Sequence, residues 1–235
     1  MKKFIKKILV RFLPSQFEVL ESTLLSIQRI SNKQQIKILD LGAGPAQYYE
    51  TLFLEATPAL IKVDLMDAFP FEGEPETASN VSIQRVRGVV PGDLSEIQTN
   101  SYDLVVAFDL IEHLSREEGY RLLYEIDRIA EHASLIFTPN GFVWQPPTPK
   151  NSFDAHLSGW TPAELRSLGW KKIKGHVGAK RFRGPYALPS INLGRRIVRN
   201  IDFFANVYSQ IFTNTHSHLR PSNLKKTLEL VNEIN

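Results

Sequence analysis

The sequence predicts an α/β protein with a doubly wound, mostly parallel sheet, helices on both faces of that sheet and helical additions at both ends of the chain. Strand-like apolar runs alternate with helical patterns from residue 34 to residue 178, which is the order expected of βαβ units. Acidic residues follow most of these runs, where the ligands of such sheets bind. The 235 residues are 43% apolar and 23% charged, which suits one globular core with additions.

The first strand is predicted from a near-continuous apolar run, because a strand of a parallel sheet is buried on both faces. In chain order the predicted strands are "IKILDLG", "ALIKVDLMD", "VSIQRVRG", "YDLVVAFDL", "SLIFTPN" and, as a sixth, "KKIKGHV". Apolar residues at helical spacing predict helices over residues 14–30, from Pro45 to near residue 55, and over 115–130, 161–170 and 191–212. Ser115 and Glu118 have the spacing of a capping box, and Pro162 suits the first turn of its helix after Thr161.

Charge is distributed unevenly along the chain. The net charge is −6 over residues 1–170 and +9 over residues 171–235, although the whole chain carries only +3. We expect an amphipathic N-terminal segment over residues 1–33, a core over 34–178 and a basic, mainly helical C-terminal extension over 179–235. The absence of cysteine excludes disulfide scaffolds, thiolate metal sites and cysteine nucleophiles.

The N-terminal stretch "MKKFIKKILVRFLP" has apolar residues at helical spacing and basic residues on the opposite face. Two interpretations stay open: a helix that lies on an anionic membrane surface, or a helix that packs on the core with its lysines in water. Lys6 and Lys7 interrupt the apolar core of a secretory signal, and no apolar run reaches the roughly 18 residues that span a bilayer. We expect a cytoplasmic protein, with association at the inner face of the membrane as the alternative.

The stretch "IKILDLGAGPAQYYE" has an acid beside a glycine turn. Such turns often bind phosphate, but Gln47 stands where the dinucleotide fingerprint requires its third glycine. Asp40, two residues before Gly42, would repel a pyrophosphate and favour a ligand with positive charge. An adenosine with a cationic amino-acid tail fits, which points to S-adenosylmethionine. A nicotinamide-dependent oxidoreductase is disfavoured for the same reasons.

Five motifs resemble, in order and spacing, those of the class I S-adenosylmethionine-dependent methyltransferases of type 11/12, which have a Rossmann-like fold: "ILDLGAGPA", "IKVDLMDAF", "GDLSEI", "YDLVVAFDLIEHL" and "LIFTPNG". The resemblance covers roughly residues 34–178, and it departs from the family where Ala46 replaces a frequent third glycine. The second strand has two acids, Asp64 and Asp67, and we favour Asp67 for the ribose because it stands at the end of the strand. The implied cofactor-binding residues are Asp40, Gly42 and Gly44 around the methionine moiety, Asp67 or Asp64 at the ribose, Asp93 and Leu94 at the adenine, and Asp109 near the reacting methyl group.

An alcohol acceptor must lose a proton during methyl transfer, which calls for a general base or a metal ion. The candidates are Glu112 and His113 in "FDLIEHL" and His156 in "NSFDAHLSGWTPAEL". These segments resemble ubiquinone-biosynthesis O-methyltransferases and small-RNA 3′-end 2′-O-methyltransferases, and the latter use carboxylates and histidines around a divalent metal. The resemblance implies a Mg²⁺ or Mn²⁺ site made of Asp109, Glu112, His113 and His156. The alternatives are His156 as a general base without metal, which we favour, and a Glu–His pair that only supports its loop.

The segment "NSFDAHLSGWTPAELRSLGW" is also similar to uncharacterised bacterial methyltransferases associated with surface-polysaccharide synthesis. We expect O-methylation of a small or lipid-linked hydroxylated acceptor, with a glycan type first, a quinone-type phenol second and RNA third. The rival is a non-catalytic protein with the cofactor fold that binds membrane or nucleic acid through its basic ends. Acids retained at every strand end argue against that rival, and the sequence gives no oligomeric state.

Overall fold

A computed structural model of the chain describes residues 16–44, 59–69, 79–149, 151–173 and 209–215. In chain order, the helices and strands of this part are α1 (Gln16–Ser31), β1 (Gln35–Leu41), β2 (Leu60–Asp67), β3 (Val81–Arg87), β4 (Tyr102–Phe108), α2 (Arg116–Ile129), β5 (Ala130–Pro139), α3 (Pro162–Ser167), β6 (Lys171–Ile173) and β7 (Ser209–Thr215). Short 3₁₀ helices occur at Gly92–Glu96, Ile111–His113 and Ser152–Asp154.

The seven strands form one sheet in the order β3-β2-β1-β4-β5-β7-β6. Strands β1 to β5 are parallel, and the order reverses between β1 and β4. In an open α/β sheet, that reversal separates the loops beyond the carboxyl ends of the two strands and creates the crevice where ligands bind. The predicted doubly wound, mostly parallel sheet is confirmed.

Strand β7 lies between β5 and β6 and is antiparallel to both. Its first four residues, 209–212, were predicted to end a helix over 191–212, and that prediction is wrong for them. Strand β5 would otherwise present an unpaired edge, and pairing of that edge with "SQIFTNT" overrides the upstream helical spacing. The segment expected as a C-terminal extension therefore supplies one strand of the core sheet.

The helices cover both faces of the sheet. Leu20 and Leu24 of α1 are fully buried in one apolar cluster, and Leu122 and Ile126 of α2 are fully buried in a second. The predicted helices over 14–30, 115–130 and 161–170 are confirmed where the structure describes them. The helix expected after Pro45 and the stretch over 1–13 lie outside the described residues.

Local capping explains where the second and third helices begin. The Ser115 hydroxyl accepts a hydrogen bond from the Glu118 N–H, and the Glu118 carboxylate accepts one from the Ser115 N–H, which completes the predicted capping box. Thr161 caps α3 through the N–H of Glu164, with Pro162 in the first turn. No helix in the described ranges combines the length and apolarity needed to cross a bilayer.

Candidate functional site

The turn after β1 requires glycine at one position for two reasons. Gly42 has φ +64°, and a Cβ there would lie 2.8 Å from Leu110 Cδ1. Its N–H donates to the carbonyl of Met66 at the end of β2, over 2.9 Å. Gly44 also has a positive φ, +54°, and open space around its Cβ position. The turn is therefore fixed to β2 on one side and touches the loop after β4 on the other.

Asp40 lies in β1 just before this turn and is only 1% exposed. Its strand neighbours in register are Leu65 of β2 and Val106 of β4, so the central strands of the sheet surround it. A carboxylate at this depth is costly to desolvate and strengthens any interaction with a nearby cation.

Two acids three residues apart on β2 have different surroundings. The Asp67 carboxylate accepts hydrogen bonds from the N–H groups of Gly44 and Phe69, each over 2.9 Å. The Asp64 carboxylate instead accepts from the hydroxyl of Tyr102, the first residue of β4, over 2.7 Å. Burial, together with that hydrogen bond, raises the pKa of Tyr102. Asp67 therefore lies against the glycine turn, whereas Asp64 lies in the middle of β2 and pairs with the first residue of β4.

The loop after β3 contributes Asp93 and Leu94. The Asp93 carboxylate is exposed and accepts the N–H of Val89 over 2.7 Å, which fixes the loop. Leu94 is fully buried beneath it. The N–H of Gly88 donates to the carbonyl of Asp67 over 3.0 Å, so this loop and the ribose candidate are linked.

The loop after β4 turns sharply at Asp109, whose φ is +51°. The Asp109 N–H donates to the carbonyl of Phe137 on β5 over 2.8 Å, which stabilises this left-handed conformation. The next residue, Leu110, is the one that lies against Gly42, and Glu112 follows two residues later. The glycine turn and the Glu112 loop are therefore neighbours.

Glu112, His113 and His156 come together from two loops. Each offers a ligand atom, and these three atoms lie within 4.8 Å of one another. The two imidazole rings meet edge to face, with centroids 4.7 Å apart. Asp109, the fourth residue of the metal site that the resemblance implies, is not in this group.

Both histidines are oriented by backbone carbonyls. Nδ1 of His113 lies 3.1 Å from the carbonyl of Ala155, and Nδ1 of His156 lies 2.6 Å from the carbonyl of Val143. A carbonyl only accepts, so each Nδ1 carries the proton and each Nε2 keeps its lone pair. Burial lowers the pKa of both imidazoles against the opposing effect of these hydrogen bonds, which favours the neutral form.

Glu112 is only 2% exposed, and burial raises the pKa of its carboxyl to about 7. The nearby hydroxyl of Thr138 lowers that pKa against the effect of burial, but no hydrogen bond of normal geometry joins the two groups. Oε2 of Glu112 and the Thr138 hydroxyl both lack a hydrogen-bond partner among the described residues. A buried carboxylate oxygen and two imidazole nitrogens within 4.8 Å of one another are a donor set for a divalent cation or for a polar hydrogen.

Backbone contacts hold the two loops together. The Glu112 carbonyl accepts the N–H groups of Leu157 and Ser158, over 2.8 and 3.1 Å. The Ser158 hydroxyl donates to the carbonyl of Ile111 and accepts from the indole N–H of Trp160. The His113–His156 pair is therefore positioned by the backbone rather than by long side chains.

Sequence reasoning missed the support behind this pair. Trp160 is fully buried, and the Arg116 guanidinium stacks over its ring at 4.2 Å while donating to the carbonyl of Gly159. Glu164 pairs with Arg116 and accepts from the hydroxyl of Tyr120. Trp160 and Glu164 stand in the "WTPAEL" stretch used for the resemblance, but no local pattern relates that stretch to residues 116 and 120.

Comparisons with known proteins found likeness only among solved structures. No protein-family model matches the chain, and no curated protein matches it. An S-adenosylmethionine-dependent methyltransferase from Archaeoglobus fulgidus is 14% identical and has a TM-score of 0.45, with 91% of this chain and all of that one covered. Magnesium protoporphyrin IX methyltransferase from Synechocystis, with bound S-adenosylhomocysteine, is 13% identical, covers 84% and 82%, and has a TM-score of 0.42. The 1,6-didemethyltoxoflavin-N1-methyltransferase from Burkholderia thailandensis is 14% identical, covers 84% and 78%, and has a TM-score of 0.43. At these values the comparisons carry no more than a likeness of fold.

Proposed function

We propose that the chain is an S-adenosylmethionine-dependent methyltransferase. The observation that carries the proposal is the buried Asp40 beside a left-handed glycine turn, with Asp67 fixed against that turn. This arrangement suits a nucleoside with a cationic tail better than it suits a pyrophosphate. A cluster with free imidazole lone pairs lies in the neighbouring loops, where an acceptor would meet the cofactor.

The cofactor would be held by residues at the carboxyl ends of four strands, β1 to β4. Asp40 would face the positive charges of the methionine moiety, and Asp67 would accept from the ribose hydroxyls. Asp93 and Leu94 would border the adenine, and Asp109 would lie near the methyl group. S-adenosylmethionine supplies a methyl group already activated by its sulfonium, so the chain has to supply position, electrostatics and a proton acceptor.

The proton acceptor that fits is Nε2 of His156, with His113 packed against its ring. A neutral imidazole with its Nδ1 held by a carbonyl can take the proton of an acceptor hydroxyl at Nε2. Alternatively, Glu112, His113 and His156 would hold Mg²⁺ or Mn²⁺, because a carboxylate whose Oε2 has no hydrogen-bond partner among the described residues and two imidazoles form a mixed oxygen and nitrogen set.

The acceptor is proposed to be a small or lipid-linked hydroxylated molecule, of the glycan type found in bacterial surface polysaccharides. The basic ends of the chain suit a phosphate-bearing carrier. A quinone-type phenol ranks second and RNA third. A screen of methyl transfer against nucleotide sugars, lipid-linked sugars, phenols and RNA would identify the class, and product from none of them would contradict O-methylation of this group of acceptors.

Calorimetry tests cofactor binding without an acceptor. S-adenosylmethionine and its demethylated product should bind, and Asp40→Asn should weaken the binding by about tenfold to a hundredfold because a charge-assisted contact is lost. Asp67→Asn should weaken it as well, whereas Asp64→Asn is the matched control that leaves affinity unchanged, since Asp64 pairs with Tyr102. Binding of NAD alone would overturn the assignment.

Removal of divalent ions by a chelator distinguishes the two proposed mechanisms, a histidine general base and a bound metal ion. Methyl transfer that survives EDTA in protein free of divalent ions would exclude the metal alternative and leave His156 as the base. Transfer that stops with EDTA and returns with Mg²⁺ or Mn²⁺ would favour the metal.

A further inference from the structure

Large apolar side chains are exposed around the mouth of the candidate site. They belong to the loops that follow β2 and β5, and their exposed fractions run from 36% to 73%. Single exposed apolar residues are ordinary, but a contiguous group next to a site indicates an interaction surface. We call this group the apolar rim; it consists of Phe69, Phe142, Trp144, Phe153 and Leu157.

The loops that form the candidate site also carry the rim residues and bring them close to it. The Phe69 and Phe153 rings meet edge to face with centroids 5.6 Å apart. Phe142 and Trp144 flank the residue whose carbonyl holds His156 Nδ1. Leu157 follows His156, and its N–H donates to the Glu112 carbonyl. The rim therefore borders the Glu112, His113 and His156 cluster directly.

The rim is held in its exposed position. A Cβ on Gly159 would lie 2.3 Å from the backbone nitrogen of Phe142, so the two chain segments are in close contact. The Gly141 N–H donates to the Trp160 carbonyl over 2.9 Å. The Gln145 side chain donates to the carbonyl of Asp154 over 2.6 Å. These contacts fix the backbone that carries the rim residues, and their side chains stay exposed although burying them would be favourable in water.

In the sequence, the basic N-terminal stretch precedes α1, whose two ends lie toward opposite edges of the sheet. Just after α1, Lys33 pairs with Asp103 and Glu131, which lie at the starts of β4 and β5, so α1 ends at the amino edge of the sheet. Its 16 residues span about 24 Å, close to the roughly 23 Å of β1, so Gln16 lies toward the carboxyl edge. The preceding residues "MKKFIKKILVRFLP" hold five basic residues and no acid.

We propose that the apolar rim docks onto an anionic lipid bilayer, with Trp144 and its neighbours at the level of the headgroups. Exposed tryptophan and phenylalanine suit that interface, and an adjoining basic segment adds attraction to anionic lipids. Docking in this way brings the mouth of the candidate site to the membrane surface. The inference concerns a surface and does not depend on methyl transfer.

Tryptophan fluorescence gives a direct test. The chain has three tryptophans, and Trp160 and Trp170 are 0% and 2% exposed, whereas Trp144 is 73% exposed. The full chain is mixed with vesicles of phosphatidylcholine and phosphatidylglycerol that carry bromine on their acyl chains. We expect quenching of the exposed emission, absent from Trp144→Phe, and an affinity for vesicles at least roughly tenfold lower in Phe142→Ser/Trp144→Ser.

The matched control is Ile30→Ser, because Ile30 is 81% exposed but lies at the amino edge of the sheet. This variant should bind vesicles like the parent. Absence of vesicle binding, binding without quenching of Trp144, or equal loss in Ile30→Ser would each overturn the proposal. So would a rim variant that changes only the sedimentation coefficient, since a second copy of the chain would then be the occupant. Cofactor affinity, measured in parallel, should be unchanged in the rim variants, which separates this test from that of the proposed function.

Discussion

Two clusters of the same residue types lie at opposite ends of the sheet. At the carboxyl edge stand Glu112, His113 and His156, and at the amino edge stand Asp103, Glu131 and His132; in each set, the ligand atoms lie within 4.8 Å of one another. The difference is Lys33, whose Nζ is 2.6 Å from an oxygen of Asp103 and 2.6 Å from one of Glu131. No ion pair to Glu112 occurs in the described part of the chain. The cluster at the amino edge, the lower cluster, thus contains its own cation, whereas no lysine or arginine of the described residues pairs with Glu112 in the upper cluster at the carboxyl edge.

The pKa values of Lys33 and Glu112 follow from this difference in countercharge. Burial works to lower the pKa of Lys33, but the hydrogen bonds and charges of Asp103 and Glu131 outweigh it, so the pKa is raised and the ammonium stays charged. Glu112 has no such partner among the described residues, and burial raises the pKa of its carboxyl to about 7. Residue types and proximity therefore do not distinguish a structural cluster from a candidate site; the missing countercharge does.

The largest expected effect is on methyl transfer. His156→Asn should lower the rate by about a hundredfold to ten-thousandfold, because the acceptor hydroxyl loses its proton acceptor. His132→Asn in the lower cluster should leave the rate unchanged. Initial rates on the acceptor found by the screen provide the measurement, and equal losses in both variants would break the distinction between the clusters.

The next effect is on stability. Lys33→Met should lower the free energy of unfolding by about 2 to 3 kcal/mol, because Asp103 is only 4% exposed and would lose its cation. Lys62→Met is the control. Lys62 is as exposed as Lys33, but it lies 3.8 Å from Asp64, whereas Lys33 lies 2.6 Å from each of two acids, so the Lys62 pair should contribute only about 0 to 1 kcal/mol. Urea unfolding compares them, and a smaller loss for Lys33→Met than for Lys62→Met would contradict the structural role of the lower cluster.

The stability of the chain should depend on pH through Glu112, whose carboxyl is buried. The folded-state pKa of Glu112, about 7, is above its ordinary 4.5, so its contribution to stability is fully present below pH 4.5 and is lost as the pH rises through 7. In EDTA, Glu112→Gln should therefore match the parent near pH 5 and exceed it at pH 8 by about 2 kcal/mol.

The control for this pH series is Asp103→Asn, which should be less stable than the parent at pH 8 because Lys33 then loses a partner. Urea unfolding at the two pH values measures both variants. An advantage of Glu112→Gln that is as large at pH 5 as at pH 8 would show that packing, and not the charge of Glu112, sets its stability.

The sequence predicts the parts of the fold that depend on local patterns. Continuous apolar runs identify β1 to β5, and the spacing of Ser115 and Glu118 identifies the start of α2. Strand β7 is different, because its conformation depends on the free edge of β5, seventy residues away in the chain. Local helical spacing carries no information about that edge, so the helix predicted over 191–212 is wrong for residues 209–212.

The candidate site, like the fold, is predictable from the sequence only where local patterns determine it. The topology brings the acids at the strand ends to one edge, and the sequence identifies those acids. The sequence does not distinguish Asp64 from Asp67 by contact, since the hydrogen bond from Tyr102 to Asp64 depends on where β4 begins relative to β2. It also gives no sign that Lys33 neutralises Asp103, because side-chain pairing over 70 residues follows from tertiary packing.

The smallest expected effect is on Mn²⁺ binding. One substitution in each cluster should remove the ion site from the upper cluster or create one in the lower cluster. If a missing countercharge makes a cation site, Mn²⁺ should bind the parent at one site, Glu112→Gln at none and Lys33→Met at two, because removal of Lys33 leaves Asp103, Glu131 and His132 without a cation. Titration calorimetry at pH 8 counts the sites. Thermal unfolding should show a stabilisation of about 1.4 kcal/mol per site at about ten times the dissociation constant. Retention of the parent's site in Glu112→Gln would exclude Glu112 as a ligand, and a parent that binds no ion would leave His156 as the proton acceptor without metal.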